Sequence, residues 1–368
     1  MIKTDDPLNL ELTIYNASLV LVAGVLLTYI TALVAGYVKE WAEKKGYLAI
    51  PNARSSHNKP VPSVGGLSIV LIVMLGFLIL SFLVTLDTPW YLILFVSSSL
   101  IIAVGLFDDI FEIKKRIRIF IHIAAALIVI LWIGSNLQII FPRAINLTGP
   151  FATIFIVLYV VWNINLYNFM DGIDGLAAGQ AVFMGATAGT IAWVNGNFPL
   201  ALAYYLLGFA SLGFLKWNWH PAKIFMGDLC SGFMGITMAI LGLWGKLTSS
   251  VPLTAFLILM AIFYVDPTYT IIRRLLEGEN PTTTHRDFAF HHAIRKGYSH
   301  ARVTGTILLI DLFWLAPLAV WTVLLRSNWS IPVLLIAYAP IIFLVIFMKA
   351  GQRLNDGQDP DYKEKKHS

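Results

Sequence analysis

The chain has 368 residues, of which 58% are hydrophobic and only 13% charged, with a net charge of +5. Soluble domains carry roughly a quarter charged residues, so this composition, with a mean hydropathy of +0.74, excludes an ordinary soluble protein. The modest positive charge suits anionic lipid or a phosphorylated substrate and gives no separate case for nucleic acid, and the single Cys230 excludes an internal disulfide.

A spanning helix needs about 20 mostly apolar residues. Eleven such segments are expected, at 17–38, 66–86, 90–107, 119–139, 150–170, 175–194, 198–215, 229–247, 251–272, 303–325 and 331–349. The N-terminal stretch carries Asp5, Asp6 and Glu11 and lacks the basic start of a signal peptide, so the first segment is expected to be retained. With the N-terminus outside, all but four of the 26 Lys and Arg residues fall on the inner side; the exceptions are Lys3, Arg143, Lys246 and Arg326. The positive-inside rule therefore predicts an outer N-terminus and a cytoplasmic C-terminus. The expected fold is an all-α polytopic integral membrane protein. It comprises one transmembrane domain over 1–350 and a flexible cytoplasmic tail over 351–368.

Four polar clusters then fall on the inner side. Asp108-Asp109 closes the third span and precedes Lys114, Lys115, Arg116 and Arg118. It reads as a base or metal-linked carboxylate beside phosphate-holding cations, or as a solvated helix end. Asn163, Asn165, Asn168, Asp171 and Asp174 crowd twelve residues at the end of the fifth span. Asp171 and Asp174 share a helical face, and the short turn predicts a tight hairpin of the fifth and sixth spans. One intramembrane Asn is explained by helix packing; five polar side chains point to a catalytic or binding site. Asp228 ends a polar loop from Asn218 and would open the eighth span, where a carboxylate is either a ligand or a cap. Phe225, just before it, could stack on a base or anchor at the interface. The run His285-Arg286-Asp287 with His291-His292 suits a pyrophosphate pocket or a lipid-touching basic loop. Arg54 and His57 lie in the first inner loop, which Pro60 and Pro62 stiffen and where the Gly65-Gly66 pair allows close approach at the next helix start; it reads as a substrate gate or as a plain re-entry loop. Asp266 precedes Pro267 and could accept from freed backbone donors, whereas Asp311 is deep and has no partner that the sequence suggests.

Taken together, the motifs resemble the polyprenyl-phosphate N-acetylhexosamine-1-phosphate transferases (glycosyltransferase family 4), closest to the O-antigen-initiating branch. The similarity runs over 51–302. It rests on Pro-Asn-x-Arg-x-x-His-x-x-Pro-x-Pro-x-x-Gly-Gly at 51–66, Asp-Asp at 108–109, Asn-x-x-Asp-Gly-x-Asp-Gly at 168–175 and Phe-Met-Gly-Asp at 225–228. Arg116-x-Arg118-x-x-x-His122 and Trp217-Asn218-Trp219 carry the branch resemblance. The resemblance implies attack by a polyprenyl (undecaprenyl) phosphate on a UDP-N-acetylhexosamine, with release of UMP, at the bacterial cytoplasmic (inner) membrane. The product would start O-antigen or another cell-envelope glycan. It further implies Mg²⁺ or Mn²⁺ on Asp228 and Asn168, and catalytic carboxylates at Asp108, Asp109 and Asp171. Asp174 and Phe225 would meet the nucleotide. Arg116, Arg286, His291 and His292 would hold phosphates, with Arg54 and His57 near the substrate. A homodimer is expected by analogy. The chain departs from the pattern at Cys230, where relatives carry glycine, and at Phe288 and Phe290, which loosen the usual histidine cluster; without that cluster a muramoyl-pentapeptide substrate is not implied. A cation-coupled transporter is the competing reading, and it would place acids at broken helices in mid-membrane.

Overall fold

The computed structural model describes residues 7–50, 60–84, 88–111, 113–133, 139–141, 145–279, 287–324 and 330–352. Each of the eleven expected segments contains a helix among the described residues, and the one expected at 119–139 is helical to Ile133 and reaches a strand at Ile139. α1 is Pro7–Lys45, α2 Leu67–Leu83, α3 Thr88–Phe111, α4 Lys115–Ile133, α5 Gly149–Met170, α6 Leu176–Val194, α7 Phe198–Asn218 and α8 Asp228–Leu247. They are followed by α9 Leu253–Leu259, α10 Ala261–Leu276, the short α11 Ala289–Arg295, α12 His300–Ile310, α13 Ala316–Leu324 and α14 Ser330–Phe347. Two small antiparallel pairs complete the described fold: β1 Leu48–Ala49 with β2 Val61–Pro62, and β3 Ile139–Phe141 with β4 Ile145–Leu147.

Eight helical stretches among the described residues are long and apolar enough to cross a membrane, which makes this an all-α polytopic membrane protein. Three of the eleven expected spans depart from that standard, each for its own reason. α2 is only 17 residues long. α6 is diluted by Gly179, Gln180, Gly185, Thr187, Gly189 and Thr190. The segment expected at 251–272 is two helices, α9 and α10, bent by 73° at Met260. A further departure concerns the turn at 171–175. It is as short as expected, but α6 packs along α7 and touches α5 only slightly, so the two do not form a tight hairpin.

α8 is the axis of the bundle, with 94% of its spanning window buried. Lipid supplies no hydrophobic drive between helices, so close association relies on small residues that let backbones approach. Gly235 does this here: a Cβ on it would lie 2.5 Å from Ile164 Cα and 2.6 Å from the Asn163 carbonyl oxygen. α5 therefore lies directly on α8. The Asn163 side chain ties α5 to α10, donating to the Tyr159 carbonyl of its own helix and accepting from the Tyr264 hydroxyl.

The two deep acids differ. Asp266 accepts from the Ala289 amide at 2.8 Å and from Thr270 Oγ1 at 3.4 Å, and so docks α11 onto α10. Asp311 opens a π-helical turn, Asp311–Leu315, between α12 and α13. It is fully buried, and neither carboxylate oxygen has a partner among the described residues.

Candidate active site

The end of α3, the start of α4, the end of α5 and the start of α8 meet around one cavity, so their polar residues share one end of the bundle. Asp108, Arg118, Asn165, Asn168 and Asp228 line it. Arg118 is its electrostatic centre. Nη1 lies 2.7 Å from Asp108 Oδ2 and Nη2 lies 3.7 Å from Asp228 Oδ2. Ile113 donates its amide to Asp108 Oδ1 at 2.8 Å, so both Asp108 oxygens are engaged. Among the described residues the Asp228 carboxylate has the long arginine contact alone, and its side chain is 54% exposed.

Asn168 is oriented by a relay. Ser231 Oγ donates to the Asp228 carbonyl at 3.2 Å, so it accepts from Asn168 Nδ2 at 2.9 Å. That fixes the amide and leaves Asn168 Oδ1 as its oxygen donor toward a ligand. A carboxylate and an amide oxygen are hard ligands, the set that Mg²⁺ prefers alongside water. These residues fit a divalent cation, with Asp228 and Asn168 as the side chains that would hold it.

Asp171 joins the same group. It accepts from the Gly227 amide, and burial, followed by the neighbouring Asp228 charge, pushes its carboxyl well above the usual range. Asp174 lies in a second cluster. Its Oδ2 is 2.7 Å from His220 Nδ1 and 3.1 Å from the Ala222 amide, and its Oδ1 is 3.1 Å from His300 Nδ1. Burial alone would raise this carboxyl, but the contacts of His300 and then His220 outweigh it and hold it below the usual value. Asp174, His220 and His300 are close enough to hold a cation, yet their spacings are those of hydrogen bonds. The cluster clamps together the α5–α6 turn, the loop before α8 and the start of α12, helped by Thr304 Oγ1 donating to the Asp174 carbonyl.

The first inner loop docks on the loop before α8. The Phe225 amide donates to the Pro62 carbonyl, and Gly65 and Gly66 donate to the carbonyls of Phe225 and Met226. Gly66 has no room for a side chain, since a Cβ there would lie 2.2 Å from the Cβ of Cys230. The unexpected cysteine thus fills the space that Gly66 leaves.

The histidine cluster arrives from the far end of the sequence. His291 Nε2 stands 3.1 Å from where a Cβ on Gly172 would lie, and its ring packs on Phe290 and Phe288. His292 is buried. Burial first, then Arg295, Lys296, Arg273 and Lys349, lower its pKa from 6.5 to about 4, so it offers a phosphate a neutral hydrogen bond rather than a charge. Asp287 pairs with Arg274, and more distantly with Arg295. Arg116 is exposed on the opposite side of α4 from Arg118. Arg54, His57, Arg286 and the side chain of Asp109 lie outside the described residues.

Sequence reading underrated Arg118, Ser231, His220 and His300. Arg118 had a detectable signal: it and His122 are four apart and share a face of α4. The partners of Asp174 had none, because His220 and His300 are 46 and 126 residues away from it in sequence.

A membrane-embedded helical bundle whose helix ends gather carboxylates, an amide and an arginine around one cavity defines a class: integral-membrane enzymes acting on phosphorylated substrates. The family profile described as "Glycosyl transferase family 4" matches residues 91–246. The chain is 31% identical over 350 residues to the "Probable undecaprenyl-phosphate N-acetylglucosaminyl 1-phosphate transferase" of Bacillus subtilis (strain 168), covering 93% of this chain and 94% of the relative. It is 30% identical over 290 residues to the "Undecaprenyl-phosphate alpha-N-acetylglucosaminyl 1-phosphate transferase" of Escherichia coli (strain K12), covering 76% and 77%. Identity to the "Decaprenyl-phosphate N-acetylglucosaminephosphotransferase" of Mycolicibacterium smegmatis is 28% over 320 residues, covering 79% and 78%. The chain belongs to the polyprenyl-phosphate N-acetylhexosamine-1-phosphate transferase family, glycosyl transferase family 4, and is a sugar-phosphate transferase.

Proposed function

We propose that the protein transfers an N-acetylhexosamine-1-phosphate from a UDP-sugar to undecaprenyl phosphate at the cytoplasmic face of the bacterial inner membrane. UMP is released, and the lipid-linked sugar starts O-antigen or another cell-envelope glycan. N-acetylglucosamine is the sugar in the names of all three relatives, which favours it as the donor sugar.

An oxygen of the acceptor phosphate bonds to the β-phosphorus, and the bond from that phosphorus to the bridging oxygen breaks. The electron pair leaves on UMP. Phosphoryl transfer needs positioning and charge neutralisation more than covalent help. Arg118 meets the phosphates, with Asp108 fixing its guanidinium. Asp228 and Asn168 would hold Mg²⁺ or Mn²⁺, which when bound supplies charge neutralisation at the pyrophosphate. Asp171 accompanies Asp228, Phe225 would meet the nucleotide, and Asp174 would act beside it by holding the loop before α8 through His220 and Ala222. His291, which stands across Gly172, would meet the phosphates, and His292 and Arg286 would join it.

The observation that carries this reading is Arg118 standing between Asp108 and Asp228 in the cavity where four helix ends meet. The transporter reading is disfavoured: the acids of the site gather at helix ends, and Asp311 stands in the interior without a chain of partners among the described residues. The test is UMP release by purified protein in detergent, with undecaprenyl phosphate, Mg²⁺ and a panel of UDP-N-acetylhexosamines. Release should require lipid and metal and should be lost in a folded Asp228→Ala variant. Full turnover by that variant would refute the metal assignment.

A further inference from the structure

α4 brings to the cavity wall a buried side chain with a polar atom that has no partner among the described residues. Each of the four helices brings a polar side chain to the mouth: Asp108, Arg118, Asn168 and Asp228. One turn farther into the bundle, α3 and α8 present Val104 and Gly232, and α5 presents Ile164 and Asn165, whose amide nitrogen donates back to the Val161 carbonyl. At that depth α4 presents His122, four residues beyond Arg118 and on the same face. His122 is 6% exposed. Its Nδ1 is out of contact with solvent and has no hydrogen-bond partner among the described residues. An orphaned polar atom in a buried site carries a desolvation penalty, and here it belongs to a residue that lines the cavity.

We propose that His122 is a binding residue for the acceptor phosphate, which it meets from the membrane side while Arg118 meets it from the mouth. This rests on the transfer reaction proposed above. The two substrates reach the cavity from different directions. A nucleotide sugar is soluble and polyanionic and enters where Asp228 and Arg118 face water. The acceptor hangs on a hydrocarbon that stays in the bilayer, so its phosphate arrives one turn deeper. Asp108 is less suited to this part, because it is an acceptor-only anion that repels a phosphate and is already paired with Arg118 and the Ile113 amide. A phosphate monoester has its second ionisation near pH 6 and offers both P–OH and P–O⁻. An imidazole answers either one, as acceptor or as donor.

Steady-state UMP release, with undecaprenyl phosphate and UDP-N-acetylglucosamine varied in turn, reads the assignment. In His122→Leu the KM for the lipid should rise at least about tenfold, with the KM for the nucleotide sugar unmoved. His122→Asn places an amide near the Nδ1 position and should restore most of the loss, whereas His122→Gln reaches the Nε2 position and should not. An unchanged lipid KM in His122→Leu, or an equal rise in both KM values, overturns the proposal. Thermal unfolding with added lipid gives a readout independent of turnover. Undecaprenyl phosphate should raise the midpoint of the wild type more than undecaprenol does, and His122→Leu should lose that difference. Retention of the difference overturns the proposal even if no donor supports UMP release, an outcome that would separately remove the reaction. If His122→Leu does not accumulate folded, the Asn and Gln variants decide by the same readouts.

Discussion

Arg118 reaches Asp108 and Asp228 with the two arms of one guanidinium. A lysine is a single point charge and cannot span both carboxylates. Arg118→Lys should therefore lower kcat/KM by about tenfold or more, while Arg116→Ala, on the exposed side of the same helix, should change it less than about twofold. Steady-state UMP release compares them directly. Ser231 has a subtler part, because it orients Asn168 and would touch no metal itself. Loss of such an outer partner typically weakens metal affinity about 10–100-fold. Ser231→Ala should shift the Mg²⁺ titration of turnover upward by that order and leave the rate at saturating Mg²⁺ near normal; an unshifted titration would detach Ser231 from the site. At this scale the sequence showed which residue types mattered better than which copy did. Asn163 and Asn168 look alike in sequence, yet one is helix glue and the other faces the cavity, because only Asn168 lies opposite Ser231. Choosing Arg118 over Arg116 needed only the helical period.

Close contact of α5 with α8 fixes where Asn165 and Asn168 project, so the site depends on a glycine that touches no substrate. Gly235→Ala would drive a methyl into the α5 backbone rather than into a flexible side chain. The expected cost is about 1–3 kcal/mol of stability, seen as a lower thermal midpoint in detergent. Activity should fall as well, because Asn168 moves with its helix. α11 offers a pH test. His292 binds its proton less well in the folded protein, at about 4, than at its ordinary 6.5. Between those values the unfolded chain carries more proton, so stability rises with pH in that window and is eroded as pH falls through it. The wild-type midpoint should therefore drop more between pH 7 and pH 5 than that of His292→Asn, and parallel drops would show that His292 does not report. Which segments are helical was legible from length and apolarity alone. The break at Met260 and the parting of α5 from α6 were not, because both depend on which neighbour each helix packs against.

Over the whole molecule, the structure gives the bundle two chemically different ends, and the basic residues suggest which faces the cytoplasm. One end holds the cavity. At the other, Asn197 bonds Thr248 and Ser250, Asn195 bonds the Ser250 carbonyl, and Tyr91 bonds the Pro199 carbonyl, just past Lys246 at the end of α8. α8 has 20 residues and so spans about 30 Å, the thickness of a bilayer core. The proposed reaction needs the cavity end inside, where nucleotide sugars are available, and the positive-inside rule assigns the same sense. The sequence has one cysteine, Cys230, and it is buried, so a Cys230→Ala background is silent to thiol reagents. In that background Lys246→Cys should react with a membrane-impermeant maleimide on intact cells. Lys44→Cys, exposed in the last turn of α1, should react only after the membrane is opened. The reverse pattern would place the cavity on the outer face, where a UDP-sugar is not supplied, and the proposed donor would fall with it. Labelling of both positions from outside would mean that α1 and α8 end on the same side in a way that the helix count does not allow.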